Sequence, residues 1–172
     1  HDAHGGLTSD QAVRILKNGG TIYPYKGNGI KHKEFLAKLK FWRAKAGISE
    51  DQILGLGYGA DANGFGGHPG PRGGDSESVT YPFTLFQGDD WGPQFNGFKP
   101  VTVEMLTIPE SGKFWHIDET GMSHYGLVAD FVEEVRLEGG KEALDALYNS
   151  AEEYVQMWER AYNRNENIVN AP

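Results

Sequence analysis

The sequence predicts an α/β fold, and three observations carry that expectation. Helix-period and strand-like segments alternate over residues 8–58, and the last strand-like segment stops abruptly in glycines around Asp61. A chain of 172 residues with 38% hydrophobic and 12% aromatic content suits one domain with a real core.

The elements follow in order. Thr8 and Gln11 open an apolar run in a capping-box pattern: the Thr8 hydroxyl takes the Gln11 amide and the Gln11 side chain reaches back. A helix is expected over 9–18, stopping at Gly19 and Gly20. Residues 21–26 are β-branched and aromatic, which predicts a strand with Pro24 near its end. Phe35, Leu36, Leu39 and Trp42 recur at helical spacing among lysines, so 32–46 reads as an amphipathic helix closed by Gly47. A strand over 53–58 comes next. Helix, strand, helix, strand is the repeat of a parallel α/β fold, whose strand ends deliver side chains to a pocket rim.

From Gly64 to about Tyr125 the pattern changes to a Gly/Pro-rich excursion with β-rich pieces at 79–83, 101–103 and 113–117. One or two hairpins and an ordered loop are expected there, forming a lid or a pocket wall. The remainder reads as helical. Leu127, Phe131 and Val135 recur on one helix, then Leu144, Leu147, Tyr148, Ala151, Val155, Trp158 and Tyr162 on a longer one broken near Asn149 and Ser150. Four stretches result: βα units over 1–63, the insertion over 64–125, terminal helices over 126–163 and a polar tail over 164–172.

Twenty-four acidic against 16 basic residues give a formal charge of -8, and the basic residues are scattered, so the footprint of a nucleic-acid binder is missing. No window approaches a membrane span. With zero cysteines, disulfide and thiolate chemistry are excluded and the compartment stays open. Residues 55–60 fit a relaxed dinucleotide fingerprint, but Asp61 and the glycines and proline that follow do not open a helix, which removes the anion site such a loop needs.

Asp61 is the leading candidate for chemistry, although a carboxylate after a strand also caps turns. His1 and His4 precede a helix, where an imidazole can ligate a divalent ion, or is simply solvent-exposed. His68, Arg72, His116 and His124 fall in or beside the excursion and are candidates for substrate contact; each also has an ordinary reading as a hydrogen-bonded loop residue. Trp42, Trp115 and Trp158 read as packing residues, Trp91 as a sugar or peptide contact or a turn-packing residue, and the acidic stretch 130–138 as a solvated helix face.

The run around Asp61, the opening His1 to His4 and the stretch from Met122 to Arg160 together resemble the carboxy-terminal part of the membrane (renal) dipeptidase-like branch of metal-dependent amidohydrolases. In that family a Ser-His-Ser-type strand end carries a metal-binding histidine, a helix and a Gly-Gly turn follow, and a later strand ends in a Gly-x-Asp-Phe-Asp-Gly-type motif. His1 to His4 is similar to the first, and Gly59, Asp61, Asn63 and Gly64 to the second.

The resemblance implies the last part of a (β/α)8 TIM-type barrel, with a long hairpin-containing insertion after the final strand and then the terminal helices. It implies His1 and Asp61 as metal ligands, Asp61 as general base, and two divalent ions, zinc by family habit. Such ions acidify a bridging water and polarise the carbonyl under attack. Asn63 joins His68, Arg72 and His124 of the excursion as the expected substrate contacts. Asn63 stands where the family has a second aspartate, which with the longer excursion points to a substrate other than a simple dipeptide.

A complete barrel needs about 250 residues. The expected partner is therefore an amino-terminal portion of the same protein or a companion chain, with a small or peptide-like substrate and a secreted or periplasmic setting. A rival expectation is a non-catalytic module whose excursion aromatics bind a glycan or a protein.

Overall fold

The computed structural model describes residues 6–25, 27–60, 67–74, 76–90 and 92–169, with backbone alone at 90 and 164–169. In chain order the elements are α1 (Ser9–Lys17), α2 (Gly29–Ala46), β1 (Phe83–Phe86), β2 (Val101–Val103), β3 (Leu106–Ile108), β4 (Lys113–Trp115), α3 (Ile117–Thr120), α4 (Val128–Tyr148) and α5 (Ser150–Val169).

Thr8 caps α1 in both directions. Its hydroxyl accepts the Gln11 amide at 3.3 Å, and the Gln11 side chain accepts the Thr8 amide at 3.0 Å. α2 starts at Gly29 rather than at 32, because the Asn28 side chain accepts the Lys31 amide at 3.2 Å and supplies the cap. Gly47 closes it with a left-handed φ of 74°. Phe35, Leu36, Leu39 and Trp42 are buried, and the helix packs on α4. Ile22, Leu56, Leu127, Phe131 and Val135 complete the centre of the core.

The two expected strands before the excursion are reduced to a single contact. Tyr25 and Gly59 form a parallel bridge, and the Gly59 amide donates to the Pro24 carbonyl at 3.1 Å. Two features stop the ladder there: Pro24 has no amide to donate, and the Leu56 amide donates instead to Ala146 of α4 at 2.7 Å. The glycine at 55 is explained by the same packing. A Cβ there would approach the Asn149 carbonyl to 2.7 Å, so only a bare backbone can slide under the α4–α5 junction.

The excursion folds as two antiparallel pairs. β1 and β2 align Phe83 with Val103 and Thr84 with Thr102, with a bulge before Phe86; β3 and β4 align Leu106 with Trp115. The piece expected at 79–83 shifts to Phe83–Phe86, because the Val79 amide donates to Asp118 Oδ2 at 2.7 Å rather than to a neighbouring strand. These pairs and the one bridge do not close a barrel among the described residues. Two strands of a (β/α)8 barrel would not close one by themselves.

α4 kinks at Gly140, whose φ of 62° is outside the helical range, and ends at Asn149, where a break was expected. α5 is helical to Val169, across part of the expected tail. The stripe expected to pack along it does not: Val155, Trp158 and Tyr162 are 49%, 59% and 64% exposed. The helix meets the body through its polar face instead. Glu153 pairs with Arg160 at 3.0 Å and with Arg43 of α2 at 3.8 Å, and Arg160 Nε donates to the Gly19 carbonyl at 3.1 Å.

Candidate functional site

The parallel bridge sets the site. Tyr25 and Gly59 end their extended segments side by side, and the chain that leaves at Ala60 is described again from Gly67. A cleft of about 450 Å³ opens there, with Pro24, Tyr25, Gly27 and Lys31 on one wall and His68 and Pro69 on the other. Lys31 pairs with Glu34 at 3.1 Å, and Lys38 adds a second ammonium group to the lining.

Two side chains, half-buried Tyr58 and buried Glu134, hold these walls. The Tyr58 hydroxyl lies 3.2 Å from the Gly27 carbonyl and 3.3 Å from Met122 Sδ, donating to one at a time, while the Met122 amide donates to the Pro69 carbonyl at 2.9 Å. Glu134 Oε2 accepts the Gly29 amide at 2.9 Å, and its Oε1 lies 3.2 Å from Arg72 Nε. A carboxylate at the start of α2 also meets the positive end of the helix dipole. Gly29 is required by this approach, because a Cβ would come within 2.6 Å of the Glu134 backbone.

Arg72 is the hub beneath the cleft. Its side chain is 0% exposed and donates to Asp118 Oδ1 at 2.8 Å, Glu138 Oε1 at 3.0 Å and the Glu77 carbonyl at 2.7 Å. More carboxylates than cations are thus gathered in a desolvated place. Burial pushes the Glu134 carboxyl up to about 7, although the Gly29 amide and Arg72 pull the other way. Burial, followed by the Glu134 charge, pushes the Tyr58 hydroxyl up to about 12. Nearby, Tyr81 donates to Asp130, and burial raises both groups.

His1, Asp61 and Asn63, the residues on which the sequence placed the chemistry, lie outside the described residues. His68 lines the cleft, and its ring meets Tyr125 edge-on at 6.3 Å. His124 adjoins that tyrosine; its Nδ1 accepts the Gly126 amide at 2.9 Å, and its ring lies on Trp115 at 5.4 Å. His116 caps α3 by accepting the Asp118 amide at 3.3 Å. The structure therefore brings His68 and the His124 turn together at one end. Arg72 is a correction: its guanidinium is used up by carboxylates inside the fold and is not presented to a substrate. The two metal ligands implied by the resemblance fall outside the described residues, and among those residues no group of three or more His, Asp or Glu could hold an ion. The described donors alone do not make up a metal site.

Comparison with protein-family models, curated proteins and solved structures finds no match to this chain. No helix of the described residues is long and apolar enough to cross a membrane.

The stretch read as a solvated helix face needs a second correction. Asp130, Glu133 and Glu134 are buried, at 3%, 6% and 1% exposure. A signal was present: Asp130, Glu134 and Glu138 recur every four residues beside the Leu127, Phe131 and Val135 stripe, so they flank the core-facing ridge of α4. His32 was also passed over. It is 1% exposed against Phe131, neither ring nitrogen has a hydrogen-bond partner among the described residues, and burial pushes its imidazole down to about 4. Its place on the Phe35, Leu36 and Leu39 face was the available signal.

Proposed function

We propose that this chain is the closing part of a metal-dependent hydrolase acting on an amide-type bond, completed by an amino-terminal barrel portion. The observation that carries the reading is the parallel Tyr25–Gly59 bridge with α2 as the connection between its two segments. Two extended segments joined by a helix and ending side by side at a cleft are the arrangement on which enzymes built on parallel strands place their chemistry, which supports the reading. In this reading Asp61 takes the proton of the attacking water and passes it to the leaving nitrogen, while Asn63, His68 and the His124 turn contact the substrate. Divalent ions, zinc in this reading, would be held in part by His1 and Asp61 and would supply an acidified water and a polarised carbonyl.

Asp61→Asn tests the assignment, since an amide of the same shape accepts no proton. In the protein joined to its amino-terminal portion, kcat/KM for the best substrate among dipeptides and N-acyl anilides should fall by roughly 10²–10⁴. Unchanged hydrolysis in the variant would remove the assignment.

A second reading has its own support. Phe98, Phe114 and Tyr125 of the excursion are exposed, a surface suited to a glycan or protein partner. Binding by that surface would survive Asp61→Asn, and no amide substrate would be turned over.

A further inference from the structure

The cleft has two walls from distant parts of the chain, and one carboxylate touches the supports of both. Gly29, which begins α2, sits between the lining residues Gly27 and Lys31. Arg72 lies just beyond the lining residues His68 and Pro69. Glu134 reaches Gly29 with one oxygen and Arg72 with the other, and is itself fixed on α4, which the cleft does not touch. We propose that Glu134 is a positioning residue, which sets the spacing of the two cleft walls by holding the Gly29 amide and the Arg72 guanidinium at once. The proposal rests on the reading of this cleft as the substrate face, but its test needs no turnover.

Three features make the tie specific. The Glu134 side chain is 1% exposed, so water does not screen its contacts. Gly29 has no Cβ, which lets the carboxylate and the backbone of α4 reach the start of α2. Arg72 is fixed by Asp118, Glu138 and the Glu77 carbonyl, so its guanidinium is not free to follow a moving partner; it meets Glu134 Oε1 as a buried ion pair at 3.2 Å that lacks hydrogen-bond geometry, the one partner either atom has among the described residues.

The charged and titratable groups around Glu134 are Arg72, Asp118 of α3, Glu138 of α4 and Tyr58 of the second extended segment. His32 lies about a turn further along α2 from Gly29. Only Arg72 is cationic among the groups that act directly on it. Burial in this company pushes the carboxyl up to about 7, so its charge, and with it the tie to Arg72, is lost as pH falls through neutrality. The cleft would then change its spacing with pH without any change in the residues that touch substrate.

Side-chain and amide NMR on the full chain reads this directly. The Glu134 carboxyl carbon, the Gly29 amide and the Arg72 Nε–H should titrate together with one midpoint near neutral pH. Glu134→Gln should abolish that shared midpoint. The variant should also raise hydrogen exchange at Gly29 and at the backbone of 67–72 together, each by roughly tenfold, the loss expected for a charged hydrogen bond. Exchange that rises at only one wall, or at neither, would overturn the proposal, and separate midpoints for Gly29 and Arg72 in the wild-type protein would overturn it even if the glutamine variant fails to fold. Because no hydrolysis is measured, failure here leaves the enzymatic reading standing, and failure of that reading leaves this result intact.

Discussion

Replacing Arg72 with methionine should cost the fold on the order of 3–5 kcal/mol, the largest single effect expected in this chain. Methionine keeps much of the volume and all of the apolar contact, so the loss reports the guanidinium alone. Buried Glu134 and the half-buried Asp118 and Glu138 would then face one another without a counter-charge, and the Glu77 carbonyl would lose its donor. Truncating one partner of a buried pair is far costlier than never having had the pair, because the charges left behind stay desolvated. A domain of this size has about 5–15 kcal/mol in hand, so the variant should sit close to its unfolding threshold. Arg72→Lys should recover only part of the loss, since one ammonium group cannot reach four acceptors in the fork that the guanidinium spans. The penalty should shrink as pH falls, because protonation of Glu134, whose carboxyl burial pushes up to about 7, removes one of the stranded charges. Urea denaturation at pH 8 and pH 5 measures both effects. A loss below about 1 kcal/mol at pH 8 would mean that the network is no more than a surface ion pair.

The second large effect is a pH dependence centred on His32. Burial holds the folded imidazole at about 4 against an ordinary 6.5. The unfolded chain therefore takes up a proton between those values while the folded chain does not. His32 lowers stability as pH falls through this window, and its contribution is fully intact only above 6.5. Integrated over the shift, the swing is on the order of 3 kcal/mol between pH 7 and pH 4.

Glu134 acts with the opposite sign. Its folded value, about 7, lies above the ordinary 4.5, so its contribution is fully present below 4.5 and is lost as pH rises through 7. The two groups offset each other in the intact protein. His32→Leu keeps the site filled and apolar beside Phe131, and should unmask the Glu134 slope. The variant should gain on the wild type steadily as pH drops from 7 to 4, in urea denaturation run at matched ionic strength. Parallel stability curves for the two proteins would show that His32 is protonated in the fold.

Local patterns were the legible part of the sequence. Thr8 and Gln11 announced α1 because a capping box is a contact between residues three apart, and Phe35, Leu36, Leu39 and Trp42 announced α2 because a helix buries one stripe. The antiparallel pairs were half legible. The segments at 101–103 and 113–115 are β-rich in sequence, whereas β3 needed its partner to become a strand.

Illegible were the contacts that long-range packing creates. Nothing near Leu56 says that its amide will go to Ala146, and nothing near Arg72 says that three carboxylates from α3 and α4 will close around it. A charged residue reads as exposed until its partners are known, which is why the acidic stretch 130–138 was read as a solvated face and Arg72 as a substrate contact or a hydrogen-bonded loop residue. The same limit misread α5: its apolar stripe satisfies the helical pattern, but Glu153 and Arg160 turn the other face inward.

The most direct test of the enzymatic reading is a metal count. Joined to its amino-terminal portion and purified without chelators, the protein should carry about two zinc ions per chain by elemental mass spectrometry, as a two-metal hydrolase requires. Asp61→Asn should lower that occupancy. A protein that assembles and stays folded, yet takes up no divalent metal in stoichiometric amount when zinc is supplied, would contradict it.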